Sequence, residues 1–118
     1  MNIEQFRDYC LSKKYVTESF PFDEVTLVFK VDNKMFALAS LDKSPTSANL
    51  KCEPERANEL RGEFDAIQPG YHMSKKHWNT ITIESNLSND LISELIDHSY
   101  DLVVKGLTKK RQKELGFL

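Results

Sequence analysis

The sequence is poor in residues that break or cross-link a chain, with four glycines, four prolines and two cysteines among 118 residues. This low glycine and proline content excludes collagen-like and low-complexity chains. No stretch approaches the roughly 18 apolar residues that a membrane-spanning helix needs. The first residues also lack the basic and apolar regions of a secretion signal. We therefore expect a cytoplasmic protein without a membrane anchor.

The two cysteines, Cys10 and Cys52, lie far apart in apparent helix and strand segments. They form neither a C-x-x-C metal pair nor the framework of a disulfide-rich domain. We expect two reduced, partly buried thiols, as is usual for free cysteines. The sequence also lacks a glycine-rich phosphate loop and the context of a nucleophilic serine. These absences favour a protein that is not an enzyme, and we predict no cofactor.

What the sequence does contain is a globular composition with unevenly distributed charge. It is 40% hydrophobic with a net charge of −2, and its length suits one domain. Residues 84–101 carry five acids and no Lys or Arg, whereas residues 105–113 carry four lysines, one arginine and no acid. This order suits a helix dipole, but the basic stretch could also bind a polyanion. We predict a single domain over residues 1–106, followed by a basic C-terminal segment, residues 107–118.

The first half of the chain indicates one helix and then strands. Apolar residues at helical spacing, together with a capping box formed by Asn2 and Gln5, predict a helix over residues 2–14. The Phe-Pro-Phe run that follows predicts a loop, because proline has no backbone N–H and restricts the residue before it. We expect Phe20 and Phe22 to pack beneath this loop.

Alternation of apolar and polar residues then predicts a β-hairpin over residues 25–41. An Asp-Asn pair at residues 32–33 supplies its turn, because both side chains tolerate positive φ. In the second strand of this hairpin, Phe36 and Leu38 are expected on the same face. A third strand follows over residues 46–52.

The second half of the chain predicts a helix over residues 53–66, opened by proline and acids that suit a helix start. A turn at 67–70 precedes a second hairpin, with strands at 71–73 and 77–84. Ser88 is the expected N-cap of the last helix. The order α-β-β-β-α-β-β-α predicts an α+β fold, in which an antiparallel sheet has its helices packed on one face.

The most distinctive segment is the run QPGYHMSKKHWNT at residues 68–80. Its PGYH part, followed by a basic KxHW-N-T/S pattern, resembles the MmcQ/YjbR-like family. Residues 20–22 with the acid that follows, residues 50–52 before Pro54, and residues 99–103 also fit that family. The resemblance implies a frataxin-like (CyaY-like) fold and a DNA-binding role through paired wing-like hairpins. It supplies no catalytic residues.

The same segment is the densest group of aromatic and basic residues. If Ile81 and Ile83 face the helices, Trp78 points to the opposite face of the sheet, where its ring could stack on a base. Adjacent lysines would then hold phosphates. Alternatively, the indole covers the sheet edge or lies beneath the C-terminal segment. The predicted nucleic-acid contacts are Lys75, Lys76, His77, Trp78, Lys109, Lys110 and Arg111.

A second hypothesis is a protein-interaction or small-ligand module, which predicts a concave pocket around Tyr71, His72 and Trp78. Metal binding is less favoured, because His72 and His77 flank a turn without an identified third ligand. The acids of the first two helices are sparse or interleaved with arginines, which does not suit iron. We predict no metal site and no membrane contact, and the expected partner is DNA or an unidentified protein.

Overall fold

The computed structural model describes residues 1–118 and consists of four helices and six strands. In chain order these are α1 (Ile3–Leu11), β1 (Val16–Ser19), β2 (Thr26–Val31), β3 (Lys34–Ser40), β4 (Ser47–Lys51), α2 (Pro54–Glu63), β5 (Ile67–Pro69), β6 (Trp78–Thr82), α3 (Asn89–Lys105) and α4 (Lys109–Glu114). The strands form one antiparallel sheet in the spatial order β1-β2-β3-β4-β6-β5. None of the helices combines the length and hydropathy needed to cross a lipid bilayer.

The predicted fold class is confirmed: α1, α2 and α3 bury their apolar residues against one face of the sheet. We call the other face the open face. The predicted elements occur in the predicted order. The structure adds β1 ahead of the first hairpin and α4 at the C-terminus. The sequence VTES of β1 is short and largely polar, so it carries little strand signal of its own.

The helices begin where the capping residues predict. Asn2 Oδ1 accepts a hydrogen bond from the backbone N–H of Gln5 at 2.8 Å, and Gln5 Oε1 accepts one from the N–H of Asn2 at 2.9 Å. Ser88 Oγ likewise accepts from the N–H of Leu91 at 3.1 Å. These side chains satisfy backbone donors that the first turn of a helix leaves without partners.

One buried serine ties α3 to the middle of the sheet. Ser99 Oγ donates a hydrogen bond to the carbonyl of Phe36 at 2.5 Å and accepts one from the N–H of Lys51 at 2.9 Å. Next to it, the rings of Tyr100 and Phe36 pack edge to face, with centroids 5.4 Å apart. The polar group is therefore fully bonded within an apolar layer, as burial requires.

The two cysteines are free and buried in this same layer, as expected. Burial raises the pKa of both Cys10 and Cys52. Since the thiolate is the reactive form, neither thiol is suited to nucleophilic chemistry.

The expectation that Phe36 and Leu38 share a face is wrong. The register of β2 and β3 pairs Phe29 with Ala37 and then Lys30 with Met35, so β3 carries one extra residue at a β-bulge. Phe36 and Ala37 consequently both join the helix-side core, while Leu38 turns to the open face. A bulge shifts the alternation of every residue beyond it, which period-two counting does not detect.

The second hairpin is also arranged differently from the prediction. The strand that pairs with β6 is β5 rather than residues 71–73. Ile67 of β5 is fully buried, and Pro69 lies in an edge strand, the location in a sheet that tolerates a missing N–H. Residues 70–77 form the connection to β6, which we call the loop 70–77.

Phe20 and Phe22 do not pack beneath their loop: they are 48% and 64% exposed. Phe20 instead borders a surface cavity of about 450 Å³ together with Ile3 and Leu27. The carboxylate of Asp23 then closes the loop by accepting two backbone hydrogen bonds. Both rings therefore remain on the surface.

The C-terminal segment is ordered and packs on the rest of the chain. Gln112 of α4 is buried and donates hydrogen bonds to the carbonyls of Lys105 and Leu107 at 3.3 and 2.8 Å. The ring of Phe117 packs edge to face on Tyr100, with centroids 6.2 Å apart. These contacts join residues 107–118 to the end of α3.

Candidate nucleic-acid interface

The loop 70–77 is held in place by an arginine on α2. The guanidinium of Arg61 donates hydrogen bonds to the carbonyls of Lys75 and Trp78, the latter at 3.1 Å, and to Asn79 Oδ1 at 2.7 Å. Arg61 fixes the course of the loop that carries the predicted contacts. Sequence reasoning missed this role, because the partners are mostly backbone carbonyls of a distant segment and leave no motif.

Trp78 lies on the predicted face but is not free to stack on a base. Its indole packs with Val28 and Leu38 on the open face, whereas Ile81 and Ile83 join the helix-side core. Only 8% of Trp78 is exposed, and Met73 of the loop packs against the same cluster. The expectation of an exposed stacking platform is therefore wrong, because the loop and the neighbouring strands cover the ring.

The other predicted residues of the loop are on the surface. Lys75, Lys76 and His77 are all exposed. The ammonium of Lys75 donates a hydrogen bond to the carbonyl of Gly70 at 3.1 Å, whereas the side chains of Lys76 and His77 make no hydrogen bond. Lys76 is thus the lysine of this loop whose charge is entirely available.

The basic residues of α4 divide into two kinds. Lys109 and Lys110 are exposed and unpaired. Arg111 instead donates to the carboxylate of Asp32 through Nη2, at 2.8 Å, and to Glu114 through Nη1, at 3.1 Å. The guanidinium holds the pKa of Asp32 below its ordinary value. Arg111 therefore tethers α4 to the turn between β2 and β3 rather than offering a free cation.

The strand register brings the lysines of the loop 70–77 and those of α4 to the same end of the sheet. Lys34 pairs with Val31 beside the β2–β3 turn, and Lys51 pairs with Trp78 at the start of β6. A cleft lined by Lys34, Lys51 and Gly106 joins this end to the end of α3. We call this the basic end, and its lysines include Lys30, Lys34, Lys51, Lys75, Lys76, Lys105, Lys109, Lys110 and Lys113.

None of these nine lysines is in an ion pair. Of the nearby acids, Asp32 and Glu114 are both bound by Arg111, and Asp97 pairs with Lys13. Asp101 borders the same cavity as Lys105 and Lys109. Glu53 directs its carboxylate at the first N–H groups of α2, and these hydrogen bonds lower its pKa. The opposite end of the sheet instead carries acids in the segments that flank the strands, including Asp23, Glu24, Asp42 and Glu84.

Comparisons with known proteins identify the family. The YjbR family model matches residues 11–102. The chain belongs to the YjbR family. It is 35% identical to the protein YbdF of Escherichia coli O157:H7 over 112 residues, which cover 95% of this chain and 92% of YbdF. It is 30% identical to YjbR of Escherichia coli K12 over 115 residues, which cover 98% of each chain.

Solved structures agree with this assignment to the YjbR family. The crystal structure of the Deinococcus radiodurans protein DR2400, a DUF419 domain, is similar with a TM-score of 0.92 and 42% identity, over 98% of this chain and 88% of that one. A Pseudomonas syringae protein is similar with a TM-score of 0.76 and 29% identity, over 86% of this chain and 98% of that one. YbdF and YjbR are both named as uncharacterized proteins. These matches therefore show the family and the fold of this chain but indicate no activity.

This YjbR-family chain also has a concave site on its open face, at two of the three residues that the second hypothesis named. A cavity of about 520 Å³ is bordered by Tyr71 and His72, but Trp78 lies outside it, covered by the loop. The backbone of Tyr71 is anchored at both polar groups: its N–H donates to Thr80 Oγ1 at 2.8 Å, and its carbonyl accepts from Asn49 Nδ2 at 3.2 Å. We call this space the open-face cavity.

The histidines of this YjbR-family member are not gathered into a ligand set. No three His, Cys, Asp or Glu side chains lie close enough together to hold a metal ion. His72 has a positive φ of 60° and packs its ring against Tyr71, with centroids 4.0 Å apart. His98 is used structurally, since its Nε2 accepts a hydrogen bond from the backbone N–H of Glu53 at 3.1 Å.

Proposed function

We propose that this YjbR-family chain is a non-enzymatic DNA-binding domain that contacts phosphates through the basic end. The observation that supports it is the gathering of nine lysines, none of them in an ion pair, at one end of the sheet. The net charge of −2 does not oppose this, because many of the acids lie at the other end. A cytoplasmic location, expected from the two unpaired thiols, is part of the proposal.

The spacing of the basic segments suits a groove of duplex DNA. Asp32, which anchors α4, follows β2, and the loop 70–77 leads into β6. These strands are three positions apart in the sheet, which corresponds to about 14 Å between backbones. The major groove is about 12 Å wide, so the two segments could contact phosphates on both of its sides. Because Trp78 is covered, we expect binding with little sequence preference.

Fluorescence anisotropy with a labelled duplex tests the proposal. Each lysine that binds a phosphate displaces counterions, so affinity should fall steeply between about 50 and 200 mM salt. Single-stranded DNA of the same length should bind more weakly, because it lacks the fixed spacing of a groove. Absence of binding to either at about 50 mM salt would exclude DNA as the partner.

Paired variants locate the contact surface. Lys109→Ala with Lys110→Ala, and Lys75→Ala with Lys76→Ala, should each weaken binding and reduce the magnitude of the salt slope by about 1–2. Lys43→Ala removes an equally exposed lysine that lies outside the basic end and should leave both quantities unchanged. A loss in Lys43→Ala of about half the size seen in the double variants, as expected for one charge against two, would point to a nonspecific effect of net charge and contradict an interface at this end.

A further inference from the structure

The open-face cavity is a second candidate site, and it does not depend on the DNA contacts. Its volume of about 520 Å³ lies within the range of small-molecule sites. Two aromatic rings at its border are largely exposed, Tyr71 at 56% and Phe22 at 64%. Met35 and Leu38 supply apolar surface to its lining. Exposed aromatic rings around a concave surface are typical of binding sites rather than of ordinary solvent-facing loops.

One face of Tyr71 is already occupied by an ammonium group of the chain itself. The Nζ of Lys43 lies 4.7 Å from the centroid of the Tyr71 ring. Lys43 makes no ion pair and its side chain makes no hydrogen bond. Attraction to the ring quadrupole is thus its only specific contact. The cavity therefore accommodates a cation in contact with an aromatic face.

The charges that line the cavity also favour a cation. Asp23 and Asp42 contribute two carboxylates, against the single ammonium of Lys43. Both carboxylates are ionised at neutral pH, as aspartates ordinarily are, and hydrogen bonds from the N–H groups of Val25 and Thr26 lower the pKa of Asp23 further. Without Lys43, Asp23 and Asp42 would be the only Asp, Glu, Lys or Arg residues in the lining.

The backbone that carries the Tyr71 ring is also fixed in position. Both backbone polar groups of Tyr71 are bonded, to Thr80 and to Asn49, and Thr80 Oγ1 in turn donates to Asn49 Oδ1 at 2.5 Å. His72 adopts a left-handed backbone conformation and packs against the ring. Such conformations in non-glycine residues are enriched at ligand sites. A backbone fixed in this way limits the entropy that the site loses when a ligand binds.

We propose that the open-face cavity binds a small alkylammonium cation, which takes the place of the Lys43 ammonium against the Tyr71 ring. The methyl or methylene groups of the cation would pack on Phe22 and Leu38. The carboxylates of Asp23 and Asp42 would balance its charge. Lys43 then acts as an internal competitor, because the ligand must displace it from the ring before binding.

The role of Lys43 separates this proposal from an anion site. Lys43→Gln removes the competing charge and should therefore strengthen the binding of a cation, by about fivefold or more if the contact with the ring is typical. If the cavity instead bound anions, the same substitution would weaken binding. The direction of this one effect decides the charge of the ligand.

The experiment is a titration followed by NMR shifts of the backbone amides, with choline as the cationic probe. The neutral isostere 3,3-dimethylbutan-1-ol has the same shape without the charge and serves as the matched control. Choline should shift the amides around Tyr71, Lys43 and Phe22, and the alcohol should bind at least about tenfold more weakly. Equal binding of the two compounds, or no saturable shift with choline, would overturn the proposal.

Variants complete the test. Tyr71→Ala removes an exposed ring, so the fold should be retained, and choline affinity should fall about tenfold. Lys110→Gln, a matched loss of charge at the basic end, should not change choline binding. Unchanged affinity in Tyr71→Ala, or weaker binding in Lys43→Gln, would refute the assignment. Either result would leave DNA binding by the basic end intact, since the two sites use different residues.

A further probe distinguishes the source of the ammonium group. Acetyl-trimethyllysine amide presents the choline headgroup on a lysine side chain. Tighter binding than choline would assign the cavity to a side chain of a partner protein. Weaker binding would assign it to a free small amine.

Discussion

The environment of Trp78 is decided by a glycine eight residues earlier. A Cβ on Gly70 would lie 2.8 Å from Trp78 Cβ and 2.9 Å from the Trp78 carbonyl oxygen. The N–H of Gly70 also donates to that oxygen, at 2.9 Å. The chain can approach this closely only without a side chain, and the approach lets the loop 70–77 fold over the indole.

Gly70→Ala should therefore destabilise the fold by about 1–3 kcal/mol, because backbone atoms must move to accept the methyl group. Gly62→Ala is the matched control. A Cβ at Gly62 has no atom within 4 Å, so alanine there should stabilise α2 by about 0.5–1 kcal/mol. Urea denaturation measures both values. Equal effects of the two substitutions would show that the close approach at Gly70 is unimportant.

Trp78 is the single tryptophan of the chain, so its fluorescence reports its environment directly. Because the indole is packed in an apolar cluster, its emission should be blue-shifted and weakly quenched by acrylamide. Addition of DNA should leave the emission maximum unchanged, since the ring does not stack on bases. Strong quenching by DNA would contradict the buried position and restore the stacking hypothesis.

At the scale of elements, α2 and α3 are joined by a hydrogen bond whose strength depends on pH. His98 of α3 accepts from the N–H of Glu53, which caps α2. Burial first, and then the nearby Arg56, hold the pKa of His98 below its ordinary value. The imidazole must be neutral at Nε2 to accept this hydrogen bond.

Stability should consequently fall as the pH drops below about 6.5, where the unfolded chain takes up a proton on this histidine but the folded chain does not. Above that pH the contribution is fully present. His98→Gln should flatten the pH dependence of the free energy of unfolding on the acid side of about pH 6.5. His77→Gln removes an exposed imidazole without a hydrogen bond and is the control. An unchanged slope in His98→Gln would refute the linkage.

Elements with local signals were predicted well, whereas details that neighbouring strands set were not. The capping box at Asn2 and the cap at Ser88 each involve residues only three positions apart, so the sequence alone predicts where α1 and α3 begin. The bulge at Phe36 and the short strand β5 exist because of the strands beside them. A three-residue strand has too few residues for alternation to show.

At the scale of the whole molecule, the antiparallel topology brings lysines that are scattered along the chain to one end of the sheet. The lysines follow β2 and β4, precede β6 and end α3, and these positions all meet at one end of the sheet. The C-terminal segment belongs to this end through Arg111 and Phe117. Its role is therefore both structural and electrostatic.

Deletion of residues 107–118 should lower the free energy of unfolding by at least about 2 kcal/mol, because it uncovers Tyr100 and removes the Phe117 contact. Lys109→Ala with Lys110→Ala is the control: it should weaken DNA binding but change stability by less than about 0.5 kcal/mol. Thermal or urea unfolding measures the difference. A truncated chain as stable as the full chain would show that residues 1–106 form a self-sufficient domain.

The amino-acid sequence by itself determined the α+β class, the order of the main elements, the family resemblance and the face on which Trp78 lies. Each of these depends on local periodicity, capping or a contiguous motif. Only the tertiary structure decided that Trp78 is covered, that Arg61 holds the loop, that Arg111 is paired, and that the remaining lysines lie at one end of the sheet. The physical reason is that exposure, ion pairing and charge convergence depend on atoms that are remote along the chain and meet only when the sheet is assembled.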